Sequence, residues 1–163
     1  MSELLVLAFD QEQDAYGLRG ALRLMTDQRL VELEDAAIVV RRQDGTVKID
    51  QLGSLVGKGS LGGAVLGLLL GIIFLAPGIG LAIGAVAGGL IGKFKDIGVD
   101  DGFIMEIGST IEPGHSALFL LAKDRLSDDA LDMIEIKMSR ARLLRTTMNT
   151  ERVEEIFGGG ETA

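Results

Sequence analysis

Along this chain the spacing of hydrophobic residues changes repeatedly, and each change marks an element. Leu4–Phe9 is a short unbroken apolar run that reads as a buried strand. Asp10 then stands where an N-cap would, with Gln13 three residues on in a capping-box arrangement. Ala15, Leu18, Leu22 and Met25 follow at helical spacing. Ala36–Arg42 is β-branched and strand-like. Asp44–Gly45 predicts a type I′ hairpin turn, which needs positive φ at both central residues. Thr46–Leu52 then alternates, with Val47 and Ile49 on one face and Lys48 and Asp50 on the other.

Beyond residue 95 the periodicity resumes. Val99–Ile111 sets Phe103, Ile104, Ile107 and Ile111 on one helical face, and Asp100 and Asp101 suit its N-terminus. Pro113–Gly114 breaks the chain before Ser116–Ala122, a second unbroken apolar strand. Ser127 caps a helix with Asp128 and Asp129 in its first turn and core positions at Leu131, Ile134 and Met138. Ala141–Met148 reads as a fifth strand, Thr150–Phe157 as a terminal helix, and Gly158–Gly160 as a frayed end.

This order predicts an α+β fold. The first six elements, β-α-β-β-α-β, match the split βαβ or ferredoxin-like arrangement, followed by an extra α-β-α. Helices are expected on one face of a mainly antiparallel sheet. The expected domain comprises residues 1–52 and 96–163, with 53–95 inserted into it.

The insertion breaks every pattern around it. From Gly59 to Gly92 no side chain is charged, and two glycine ladders run at a spacing of four: Gly59, Gly63, Gly67, Gly71 and then Gly80, Gly84, Gly88, Gly92. Pro77–Gly78 separates them. Four residues advance about 400° at 3.6 per turn, so each ladder lies near one helical face. Glycine costs roughly 0.8–1 kcal/mol against alanine in a helix interior. Close helix–helix contact in a dry setting offsets that cost. One continuous helix would be about 51 Å long, against a ~30 Å hydrocarbon core, whereas two arms of about 26 Å each make a hairpin with both ends on one side.

The charges sharpen the expectation. The formal net charge is −8, and the only charges between Gly53 and Lys95 are Lys58, Lys93 and Lys95. The rest of the chain is therefore strongly acidic, with no basic surface to neutralise phosphates, and nucleic acid is excluded as a general partner. Lysines flanking an apolar hairpin sit where lipid head groups would be. The positive-inside rule then puts both ends and the folded domain in the cytoplasm, at the inner membrane. A second setting is the interior of a soluble cytoplasmic homo-oligomer. A third, the core of the chain's own domain, is the least favoured, because the remaining residues cannot easily cover the hairpin all round. Membrane and oligomer both imply self-association. With Ser60 the only hydroxyl in the stretch, a selective channel is not expected.

Candidate chemistry is sparse. There is no cysteine, which removes disulfides and thiolate sites. His115 is the only histidine and is expected as an exposed turn residue. Asp100–Asp101 and Asp128–Asp129 are first-turn acids, Glu151, Glu154 and Glu155 form a solvated face, and Arg41–Arg42 point to opposite faces of a strand. Gly57-Lys58-Gly59-Ser60 has the wrong register for a phosphate-binding loop, and Gly62-Gly63 belongs to the ladder. The N-terminus lacks the basic n-region and long apolar run of a signal peptide.

The opening Leu4–Asp10 strand, the Asp44–Gly45 hairpin, the double ladder and the Gly114–Leu121 strand together resemble a bacterial family, domain-of-unknown-function family 1269. The resemblance implies a membrane protein with a ferredoxin-like domain carrying a glycine-zipper hairpin, and brings no catalytic residues. The expectation is a non-enzymatic, self-associating protein in a structural or stress-related role, with membrane lipid and further copies as partners and no cofactor or metal. A small-molecule-binding sensor is the alternative of a different class, with its ligand unknown.

Overall fold

The computed structural model describes residues 2–56, 64–75, 95–137 and 140–149. Five strands form its centre: β1 (Ser2–Phe9), β2 (Leu33–Arg41), β3 (Val47–Gln51), β4 (Ser116–Ala122) and β5 (Arg142–Met148). They make one sheet in the order β3-β2-β4-β1-β5, with every neighbouring pair antiparallel. Four helices accompany it: α1 (Arg19–Asp27), α2 (Ala64–Leu70), α3 (Asp101–Thr110) and α4 (Asp128–Lys137). A π-helical turn, Gly71–Leu75, continues α2.

The sheet is covered on both faces, where helices on one face were expected. On one side Leu22 and Met25 of α1 and Ala130 and Ile134 of α4 pack on Leu5, Leu7, Ile38, Leu118 and Leu120. On the other, α2 and its π turn lie beside Ile104 and Ile107 of α3, over Leu4, Val6, Val39, Phe119 and Leu121. The result is three layers around two cores. An antiparallel strand with one wet face alternates apolar and polar residues. Leu4–Phe9 and Ser116–Ala122 do not alternate, and every residue of both is buried.

Strand order also departs from the simplest reading. A split βαβ arrangement of the first six elements would put β3 between β1 and β2. Instead β4 lies there, and β3 is the edge strand beyond β2. The fifth strand is no appendage, since it pairs with β1 from Ser2↔Met148 to Ala8↔Arg142. The expected terminal helix at Thr150–Phe157 and core residue Met138 lie outside the described residues.

Local signals fared unevenly. Asp100 caps α3, its Oδ1 accepting the Phe103 N–H at 2.8 Å, and Ser127 Oγ accepts the Ala130 N–H at 3.2 Å. Asp10 caps nothing: a 3-10 turn begins only at Tyr16, and α1 starts at Arg19. The reason is a long-range contact. Buried Ser116 donates its hydroxyl to Gln11 O at 2.6 Å and accepts the Ala15 N–H at 3.1 Å, which holds the segment as a loop. The β2–β3 turn is not type I′ either. Gly45 N–H closes a turn on Arg42 O at 2.8 Å, and positive φ falls on Gly45 alone (87°). Asp44 Oδ1 accepts both the Thr46 N–H and its hydroxyl, an Asx arrangement that replaces a left-handed Asp44.

Candidate functional site

The feature that sets this chain apart is its apolar insertion, and the described part of its first arm, residues 64–75, is built into the fold. Leu66, Leu69 and Leu70 are fully buried and Ile73 is nearly so. Their spacing is that of one helical face, and this face lies on the sheet. Burying four such side chains contributes roughly 1.5–3 kcal/mol each, enough to offset the glycine cost of the arm. Setting the arm in the core of its own domain was the least favoured expectation; the sheet face opposite α1 and α4 provides the room, which the arm shares with α3.

Two ladder glycines fall within the described arm. A methyl group on Gly71 would meet nothing within 4 Å, and one on Gly67 would meet only the Gln51 side-chain amide at 3.5 Å. Both positions are half-exposed. Gly71 is therefore turned to open space and Gly67 lies beside Gln51 of β3, while the leucines face the sheet. Gly59, Gly63, Gly80, Gly84, Gly88 and Gly92, the turn at Pro77 and Gly78, and the flanking Lys58 and Lys93 lie outside the described residues. Lys95 is described and exposed.

Asp35, on β2, holds the first described turn of the arm. A register shift between Leu33 and Asp35 turns this carboxylate toward the α2 face, paired across from Leu121. It is 2% exposed, and it accepts the N–H of Leu66 at 3.3 Å and of Ala36 at 2.9 Å. The Leu66 N–H lies in the first described turn of α2. Burial raises the Asp35 pKa above the usual carboxylate value, and the two N–H groups oppose that shift. Sequence reasoning passed over Asp35; an acid directly before an apolar strand, with no cation nearby in sequence, was the signal.

A second buried acid, Glu3, is only 1% exposed. It pairs with Arg145 of β5 and accepts the Leu126 N–H at 2.9 Å, tying β1 to β5 and to the approach to α4. On the rim of the other face Tyr16 donates to Asp50, between Arg19 and Lys48 at 5.3 and 5.9 Å from its ring. Burial and the Asp50 carboxylate push the phenol up to about 12. The same hydrogen bond lowers the Asp50 pKa.

The remaining sequence candidates separate. His115 is partly buried rather than exposed, its Nδ1 accepting the Glu112 N–H at 3.4 Å. Arg41 donates to Ile111 O at 2.9 Å, while Arg42 is exposed. No group of three potential metal ligands gathers among the described residues. Nor is any helix among them long and apolar enough to cross a membrane.

Residues 60–157 match a family described as protein of unknown function (DUF1269). The chain belongs to that family. In this DUF1269 chain the matched stretch runs from the glycine ladder past β5, and so takes in the arm, α3, β4, α4 and β5. Its two strands are not neighbours; β1, which precedes the match, lies between them. The shared stretch thus needs the N-terminal strand to complete a sheet. No curated protein and no solved structure matches the chain.

Proposed function

We propose that this DUF1269 protein is a non-enzymatic, self-associating structural module whose interface is the glycine ridge of the arm. The observation that carries this reading is the two-sided arm: leucines bury against the sheet while Gly71 opens to free space and Gly67 meets only the Gln51 amide. A bare ridge lets a second helix approach closely and gain backbone dispersion and Cα–H···O contacts. A second copy of the chain supplies such a helix through its own ladder. The soluble homo-oligomer, with zippers packed in protein, is the setting this geometry favours, because the arm is already half enclosed by its own domain.

We also infer that β1-α1-β2-β4-α4-β5 forms a ferredoxin-like core. β4 lies between the parallel β1 and β2, and α1 and α4 share one face. On this reading β3, the arm and α3 are inserted between β2 and β4 and cover the opposite face.

Attachment to the cytoplasmic membrane, with the acidic domain in the cytoplasm, is the second reading. It is favoured by the uncharged run from Gly59 to Gly92 between lysines.

Native mass measurement in detergent-free buffer tests the first reading. The wild-type chain is expected as a multimer of defined size. Gly71→Leu, at a position where an added Cβ would meet nothing within 4 Å, is expected to shift it to smaller species. A monomeric wild type, or an unchanged Gly71→Leu assembly, would contradict it. Protein that floats with vesicles and resists carbonate extraction would replace it with the membrane reading.

A further inference from the structure

On the face of the sheet opposite the arm, a cleft of about 330 Å³ opens between α1 and the 3-10 turn Gly53–Leu55 that follows β3. Arg19 and Arg23, one helical turn apart, line it together with Ser54, over an apolar floor of Leu52 and Leu55. In a chain with eight more acids than bases, these two guanidinium groups form no ion pair among the described residues. Arg19 stands instead over the Tyr16 ring, its guanidinium 5.3 Å from the ring centre. The Ser54 hydroxyl has no partner among the described residues. The 3-10 turn closes through the Leu55 and Val56 N–H groups, leaving those of Gly53 and Ser54 outside its hydrogen bonds. Two five-donor guanidinium forks and a hydroxyl lining one hollow are the chemistry of phosphate recognition.

Past Arg23 the cleft continues into a second hollow of about 250 Å³, which shares Arg23, Ser54 and Leu55 with the first. Its character is different: Thr26, Asp27 and Glu32 line it. Asp27 stands one turn beyond Arg23 without closing an ion pair to it. Carboxylates repel a phosphate and accept hydrogen bonds from hydroxyl groups. The two hollows thus ask for opposite ends of one molecule.

We propose that this cleft binds a phosphorylated, hydroxyl-bearing small molecule. Its phosphate lies between Arg19 and Arg23 and its hydroxyl groups reach Asp27. The site is on the opposite face from the arm and is independent of the self-association reading. It gives the sensor alternative a location.

Calorimetric titration of the full chain with ribose 5-phosphate, inorganic phosphate and ribose, at constant ionic strength, tests the proposal. Ribose 5-phosphate is expected to bind saturably and more tightly than either fragment. Arg23→Ala should weaken it at least tenfold, and Arg19→Ala should also weaken it. Arg140→Ala, an exposed arginine before β5, should leave it unchanged. Absence of saturable binding by both phosphate probes would overturn the site, as would an equal loss in Arg140→Ala. Equal affinity for inorganic phosphate and ribose 5-phosphate would overturn the role given to Asp27.

Discussion

Asp35 shows how one residue can set the position of an element. Its carboxylate faces a core in which, among the described residues, no titratable group accompanies it. β4 offers Leu121, β1 offers Leu4 and Val6, and α2 offers Leu66 and Leu69. On β2 itself the nearest cation on that face is Arg41, six residues away and bonded to Ile111 O. Because the folded pKa is raised, the folded state holds the Asp35 proton more tightly than the unfolded chain does. The contribution of this group is full below the unfolded value of 3.8 and is lost as pH rises through the raised folded pKa. Urea unfolding of wild type and Asp35→Asn across pH 3 to 8 should show it. The difference between the two should change in that acidic window, with wild type losing ground as pH rises, and then level off. A difference independent of pH would mean that Asp35 is not buried as described. Tyr16 offers a cleaner reading, because it is the only tyrosine in a chain without tryptophan. Its phenol should titrate at about 12 in the wild type. In Asp50→Asn it should titrate closer to the ordinary value of 10.0. Neither residue was legible beforehand, since each acquires its partner from a segment distant in sequence.

At the scale of elements, the sequence resolved what depends on neighbours and missed what depends on contacts across the fold. The cap of α4 is local and was read correctly at Ser127, whereas Asp100, read as a first-turn acid, is itself the cap of α3. The start of α1 is decided by Ser116, some hundred residues away, so the plausible cap at Asp10 failed. The twin apolar strands carried more information than was used. An antiparallel strand without alternation requires cover on both faces, and that requirement implied a second helical layer. The return from the insertion depends on a close approach. Gly98, at φ 108°, passes so near β5 that a methyl group would stand 2.5 Å from Thr147 O. Ile97 O accepts the Asn149 N–H at 2.8 Å in the same place. Gly98→Ala is therefore expected to destabilise the fold by about 1–3 kcal/mol through backbone strain. Thermal unfolding checks this, and an unchanged midpoint would mean that the segment leaves β5.

For the whole molecule, the central claim is that the described part of the apolar arm is core of its own domain, and the proposal adds a contact surface on its glycine side. Hydropathy alone could not separate these roles. A leucine facing a sheet and a leucine facing lipid read identically in sequence. The glycine spacing is what the proposed contact side rests on, while the partner of the leucines became visible only in the fold. Leu69 separates the alternatives most directly, since it is fully buried on the sheet and is not part of the ladder. The measurement is equilibrium urea unfolding of Leu69→Ala against wild type in detergent-free buffer. If the arm belongs to the core, truncation should cost about 2–5 kcal/mol with the single transition retained. A variant as stable as wild type, within about 0.5 kcal/mol, would show that the arm does not rest on the sheet.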